Sequence, residues 1–294
     1  MPERSLSLST AAIVLVLLAA FSHAAWNLMA KRLSGFDAVS YLWLAGVGSV
    51  VLYAPLALIS AVAERPHFGR LQLGFVAGSS VLHLAYFLLL QRGYRLGDLS
   101  LVYPLARGTG PMLSSLAAVV LFGERPGAWG VAGILLVGAG VFALGLPDKG
   151  LTSATAVWFG LATGLFIALY TLWDKHAVGP LGIPPLVYNW AEILGEAGLL
   201  TTVALRRHRH GAIRTLWTSH RLDVVGCALL MPLSYVLVLT ALRFSDVSAI
   251  APAREISVLI GVGLGGRLLS EGHLRRRVVA AAAIAGGVIV IAIG

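Results

Sequence analysis

Ten stretches of about 20 mostly apolar residues run almost end to end through this chain, each long enough to cross roughly 30 Å of hydrocarbon as a helix. They fall near 11–30, 37–63, 71–91, 98–122, 127–146, 154–174, 183–205, 222–242, 247–269 and 277–294. The gaps between them are short, with 206–221 the one long exception, so no soluble domain fits between the segments. Only 12% of the residues are charged, against about 25% in soluble domains. The expected fold is an all-α integral membrane protein of ten transmembrane helices, whose constant partner is the lipid bilayer.

The net charge of +9 raises nucleic acid as a partner. The basic residues, however, sit in the gaps between apolar runs and not along one face, so they read as topology signals and no nucleic acid is expected. Loops on the side of the termini carry six Lys and Arg, those on the opposite side fourteen. The positive-inside rule then puts both termini outside the cytoplasm. A single cysteine, Cys227, excludes an internal disulfide and a Cys-based metal cluster. The segment "RRHRHGAIR" from Arg206 holds histidines amid dense positive charge, which suits lipid headgroups better than a metal. No metal or cofactor is expected. Arg4 and "SHAA" resemble a signal peptide, but the first segment continues through Trp26 and Met29 with a polar face and is read as retained.

The chain repeats itself about its midpoint. "LGDLSLVYP" and "FSDVSAIAP" match at an offset of 148, pairing Asp98 with Asp246, Ser100 with Ser248 and Pro104 with Pro252. One residue out of step, Arg107 meets Arg254 and Glu124 meets Glu271; at an offset of 144, Trp26 meets Tyr170 and Lys31 meets Lys175. Five segments per copy, an odd number, put the second copy upside down. The expected organisation is two inverted five-helix repeats, 1–148 and 149–294, forming one membrane domain, as in secondary transporters.

With that layout, "HAAWNLMAK" in the first segment, "YPLARGTGP" and "LFGERP" around the fourth, and "APAREIS" and "LLSEG" around the ninth resemble the EamA family of the drug/metabolite transporter superfamily. The resemblance implies a secondary transporter, often an exporter of amino acids or other small metabolites, with a central cavity between the repeats, in the plasma (inner) membrane of a bacterium. It also implies termini inside the cytoplasm, against the charge count.

Charged side chains at mid-helix cost about 2.5–3.5 kcal/mol on insertion scales and face a wet cavity or a partner. Arg107 and Arg254 therefore need carboxylates, and Asp174, Glu192, Glu196 and Glu255 are the candidates. Arg107 has two readings, a fork for a substrate carboxylate or half of a structural salt bridge; Arg254, beside Glu255, leans to the second. His23, Trp26, Asn27 and Lys31 form one polar stripe at helical spacing. His83 and Tyr86 share a face of the third segment, Tyr103 and Arg107 of the fourth, and Tyr170, Trp173 and Asp174 of the sixth; Tyr235 follows Pro232 in the eighth. The expected small-molecule site is an aromatic box of His23, Trp26, Asn27, His83, Tyr86, Tyr103, Arg107, Tyr170, Trp173 and Tyr235. Trp43, Trp129, Trp158 and Trp217 read as the interfacial belt. Glu192, Glu196, Asp174, His23 and His83 are the groups able to carry a coupling proton. The glycines read as packing elements, with a GxxxG inside "GVGLGG" from Gly261. No HExxH, paired aspartate or GxSxG motif supports an intramembrane enzyme.

Overall fold

The computed structural model describes residues 9–33, 35–96, 99–144, 154–257, 260 and 274–293. Asp98, the repeat boundary at 148–149, the Gly261–Gly266 run and Glu271 lie outside the described residues, as do the side chains of Lys31, Ser100, Tyr103 and Pro104. Ten α-helices are described: α1 (Thr10–Leu33), α2 (Ala38–Glu64), α3 (Arg70–Leu96), α4 (Leu99–Phe122), α5 (Gly127–Leu144), α6 (Ala154–Val178), α7 (Pro185–Ala204), α8 (His210–Phe244), α9 (Val247–Ala253) and α10 (Leu274–Ile293). Six of them are long and apolar enough to cross a membrane, and large apolar side chains such as Phe21, Val51, Leu58, Val120 and Leu222 point outward. In water such a surface would aggregate; in lipid it is the solvated face. The protein is an integral membrane protein.

Two segments depart from the sequence reading. The stretch 206–221, expected as a loop, is a 3-10 turn at Arg207–Arg209 followed by the first turns of α8. These turns are amphipathic, with Leu216 buried and Trp217 exposed, so a search for unbroken apolar runs passes over them. A non-helical residue, His220 (φ −132°, ψ 25°), sets them at an angle to the remainder of α8. The ninth segment, expected to run unbroken over 247–269, is interrupted after Ala253 by a turn at Arg254–Glu255, beyond which Ile256, Ser257 and Ile260 are again helical. Pro252 has no N–H for the helical ladder, and the bonds beyond it tighten from i−4 to i−3, as in Glu255 N–H to Pro252 O.

The helices pack across the chain's midpoint more than within either half: α1 on α8, α3 on α6, α2 on α7, α4 on α6, and α5 on α10. Small residues let these backbones meet. A Cβ at Gly133 would stand 2.6 Å from the Ile291 side chain and 2.7 Å from Gly287 O, and one at Gly140 would stand 2.8 Å from Ala280 O. Polar ties cross the midpoint as well. Glu124, in the α4–α5 turn between Gly123 (φ 67°) and Gly127 (φ 59°), accepts 2.9 Å hydrogen bonds from the backbone N–H groups of Val247 and Ser248 and so caps α9. Lys175 Nζ donates 2.7 Å hydrogen bonds to Leu242 O and Ser245 O at the C-terminal end of α8. Asp37 caps α2 through Ser40 N–H at 2.9 Å and also accepts from Arg209.

Two outcomes follow from these ties. Glu124→Ala leaves two buried donors of α9 without acceptors and is expected to cost about 2–3 kcal/mol, read as a lower Tm in detergent, with Glu124→Gln recovering part of the loss. Burial raises the Asp37 pKa, but the hydrogen bonds from Arg209 and then Ser40 outweigh it and hold the carboxyl below its ordinary range. A depressed carboxyl gives stability that is complete above the ordinary aspartate pKa and is lost as pH falls through the lowered value. Hydrogen–deuterium exchange in the first turn of α2 should therefore quicken on acidification through that window, and Arg209→Gln should move the window up.

Candidate functional site

Between α1–α4 on one side and α6–α9 on the other lies a cavity of about 100 Å³, where one water needs roughly 10–15 Å³. Among the described residues, α5 and α10 contribute no side chain to it. Its walls are apolar and aromatic, with Ala19, Ala20, Leu42, Ala45 and Phe87 among them, and a few polar groups converge inside.

The polar centre is organised by Asp174 of α6, which is fully buried. Three hydroxyls donate to its carboxylate: Ser79 Oγ of α3 at 2.8 Å, Tyr188 Oη of α7 at 2.6 Å, and Tyr235 Oη of α8. A carboxylate is an acceptor only, and three short O–H donors from three other helices replace the water it has lost. His83 stands beside it with Nε2 3.9 Å from Asp174 Oδ2 and Nδ1 3.6 Å from Glu192 Oε1 of α7. Its ring stacks on Tyr170, centroids 4.0 Å apart, and meets the Tyr235 ring edge-on at 5.1 Å. Asn189 Nδ2 donates to Glu192 Oε2 at 3.2 Å. Glu196 follows Glu192 by one helical turn on the cavity face.

The two arginines have separated roles. Arg107 of α4 is 4% exposed, and its Nε lies 3.1 Å from Glu255 Oε2. Its Nη2 donates to Ser257 Oγ at 2.9 Å. The carboxylate that Arg107 requires thus comes from the other half of the chain. The turn after α9 sends consecutive side chains opposite ways, Glu255 towards Arg107 and Arg254 into the cavity. Arg254 lies over the Tyr235 ring, 5.8 Å from its centroid, and has no carboxylate within ion-pair distance among the described residues. Glu255, expected to neutralise Arg254 in part, forms its ion pair with Arg107.

Of the aromatic box expected from sequence, the structure brings His23, Trp26, His83, Tyr86, Arg107, Tyr170 and Tyr235 to the cavity wall, along with Glu192, Glu196 and Arg254. Asp174 stands behind the wall, and the Tyr103 side chain lies outside the described residues. Two residues go elsewhere. Trp173 faces outward, stacked on Phe75 at 4.4 Å with its N–H donating to Phe75 O at 2.8 Å; its ring fills the notch left by Gly78. Asn27 turns onto its own helix and donates to His23 O at 2.8 Å. Trp43, assigned to the belt, donates instead to Thr201 Oγ1 of α7 at 2.9 Å, while Trp129, Trp158 and Trp217 are exposed on the outer face. Sequence reasoning missed Ser79, Tyr188 and Asn189. The signal was there in their spacing: Ser79 stands four residues before His83, and Tyr188 four before Glu192.

Among the described residues, three buried polar atoms at or beside this cavity have no hydrogen-bond partner: Trp26 Nε1, Asn189 Oδ1 and Glu196 Oε1. Such atoms cost about 1–3 kcal/mol each when left unsatisfied. One donor and two acceptors facing a shared space are what a polar small molecule would satisfy. Among the described residues no cluster of His, Cys, Asp and Glu has the geometry to hold a metal ion.

The comparisons with known proteins agree with this architecture. Residues 10–146 match the EamA-like transporter family, which bears out the resemblance read from the motifs of the first half. A solved crystal structure is similar to the whole bundle, with a TM-score of 0.76 at 17% identity over 95% of each chain. At that identity the likeness is one of fold. No curated protein matches the chain.

Removing one member of the Arg107–Glu255 pair leaves a buried charge alone, which costs about 3–5 kcal/mol, whereas replacing both by apolar residues is close to neutral. Arg107→Met is therefore expected to lower the Tm in detergent sharply, and Arg107→Met with Glu255→Leu to restore most of it. Equal losses in the single and double variants would show that the pair does not act as a unit.

Proposed function

We propose that this chain, an EamA-like transporter sequence over residues 10–146, is a secondary transporter that exports amino acids or similar small metabolites by alternating access. The observation that carries the reading is the polarity of the cavity. Arg254 offers a guanidinium that has no ion-pair partner among the described residues at one point of the wall, and Asn189 with Glu192 and Glu196 offers acceptors at another. A guanidinium binds a carboxylate through two parallel N–H groups, and paired acids bind an ammonium. A molecule that satisfies both is a zwitterion, and the aromatic and aliphatic walls take its apolar remainder.

The carboxylate-binding role moves from Arg107 to Arg254 in this reading, because Arg107 already holds Glu255. The two repeats are supported by the pairing of helices: α1 on α8 has its counterpart in α3 on α6, α2 on α8 in α3 on α7, and α2–α7, α4–α9 and α5–α10 are each their own counterpart. Five-helix units 1–148 and 149–294, inverted relative to one another, would place the cavity at their interface, where such carriers bind substrate. The setting is the plasma (inner) membrane of a bacterium, as the family resemblance implies.

Purified protein in liposomes loaded with a panel of labelled amino acids should release at least one of them. Arg254→Ala should weaken carboxylate substrates by about 2 kcal/mol or more, roughly a 30-fold rise in KM. Efflux at the unaltered KM from a well-folded Arg254→Ala protein would remove the carboxylate role. Inhibition by unrelated lipophilic cations with no amino-acid flux would instead assign the acids and aromatic rings to a drug site.

A further inference from the structure

The stretch from Arg206 to Arg221 lines no part of the cavity, and the transport reading leaves its charge unused. It carries Arg206, Arg207, Arg209, Arg214 and Arg221 and no Asp or Glu. Among the described residues, the carboxylates that meet it are Asp37 and Asp223, and each is already held. Asp37 pairs with Arg209; Asp223 lies 3.3 Å from Arg32 Nη1 and 3.5 Å from His220 Nδ1. Arg206, Arg207, Arg214 and Arg221 are exposed, with no carboxylate at ion-pair distance among the described residues.

These residues form a fixed surface and not a trailing loop. Leu216 is fully buried in the apolar cluster that holds Trp26, Leu33 and Tyr41. The His220 ring meets Phe36 edge-on, centroids 4.8 Å apart, and Arg209 reaches Asp37. The first turns of α8 are thus pinned to the corner between α1 and α2. At about 100° per residue, Ala212 and Ile213 share the inner face with Leu216, Arg214 and Thr218 lie opposite, and Trp217 stands on the flank. Trp217 is 51% exposed, and Leu222, just past the bend, is 81% exposed.

Length fixes the depth of these turns. The helical stretch Arg207–Phe244 has 38 residues, about 57 Å if straight, against roughly 30 Å of hydrocarbon. The part from Leu222 onward is long enough to cross, and the bend at His220 lets the charged turns before it leave the hydrocarbon and turn aside at its edge.

We propose that this surface binds anionic phospholipid headgroups: the first turns of α8 lie along the membrane interface, Arg207 and Arg214 hold lipid phosphodiesters, and Trp217 seats where headgroups meet acyl chains. A guanidinium takes two oxygens of one phosphate in its planar fork. Tryptophan prefers that depth, and a basic, amphipathic helical segment is the form that settles on an anionic interface. The exposed Trp217 and Leu222 favour lipid over a soluble phosphate or a nucleic acid, because only lipid covers apolar surface beside the charge it neutralises. The inference needs the chain to be in a membrane and is independent of what it carries.

The full chain in detergent, titrated with phosphatidylglycerol or with phosphatidylcholine of the same acyl chains and followed by native mass spectrometry, tests the site. Phosphatidylglycerol should bind more tightly. Each arginine near a charged surface is worth about fivefold in affinity, so Arg207→Gln with Arg214→Gln should weaken phosphatidylglycerol by roughly 25-fold. Arg70→Gln with Arg125→Gln, an equal change of charge at exposed residues elsewhere, should leave the affinity in place. Phosphatidylglycerol with brominated chains should quench the fluorescence of the wild type more than that of Trp217→Phe. If the glutamine pair lowers the Tm, Arg207→Lys with Arg214→Lys supplies the comparison: it keeps the charge, loses the fork, and should still bind more weakly than the wild type. Equal binding of the two lipids by the wild type, or equal losses in the two glutamine pairs, overturns the site. Quenching unchanged in Trp217→Phe overturns the seating of that ring. Displacement of the lipid by inorganic phosphate or by an RNA oligonucleotide assigns the arginines to a soluble anion and overturns the lipid.

Discussion

Asp174 is a carboxyl group held where no water reaches it, and the interior of the protein is arranged to satisfy its oxygens. Ser79, Tyr188 and Tyr235 come from α3, α7 and α8 to donate to one carboxylate of α6. Each hydroxyl is worth little alone, but a charge stripped of solvent costs several kcal/mol unless all its acceptor sites are met. The convergence of four helices on one point is therefore set by electrostatics as much as by packing. His83 and the aromatic rings take their positions around that point.

The same requirement explains why the arginines differ. A guanidinium in a bilayer needs a carboxylate or water, and of Arg107 and Arg254 only Arg107 has a carboxylate partner among the described residues. The break after Pro252 decides which. Because α9 ends at Ala253, Arg254 and Glu255 are adjacent residues on opposite sides of a turn, and one position of the backbone controls both a structural pair and a charge in the cavity. A continuous helix would have set the two side chains about 100° apart on one rod.

Most of the helices were legible in the sequence, because lipid demands long apolar runs and little else. Legibility failed where that demand was locally lifted. The first turns of α8 lie in an amphipathic stretch and not in an apolar run, and the ninth segment is interrupted by a turn just after a proline before helix resumes at Ile256. At the site, residues were found where a polar group shares a helical face with an aromatic one, as for His83 with Tyr86. That rule fails for Trp173, one residue before Asp174, where the neighbours in sequence point to opposite sides of α6. It also passes over Ser79 and Tyr188, whose hydroxyls are unremarkable until a buried acceptor gives them a purpose. Partner choice was the least legible. Glu192, Glu196, Asp174 and Glu255 were equally good candidates for Arg107, and only the fold selects Glu255.

The seam between α5 and α10 has a mechanical meaning. Where Gly133 and Gly140 face Gly287, Ala280 and their neighbours, backbone lies against backbone with Ile284 and Ile291 interlocked beside it. No side chain is present to act as a compliant spacer, so sliding these helices would drive hard atoms together. Each helix belongs to a different half of the chain, yet the pair forms one stiff strut, none of whose described side chains lines the cavity. A stiff element of this molecule therefore spans both halves of the chain.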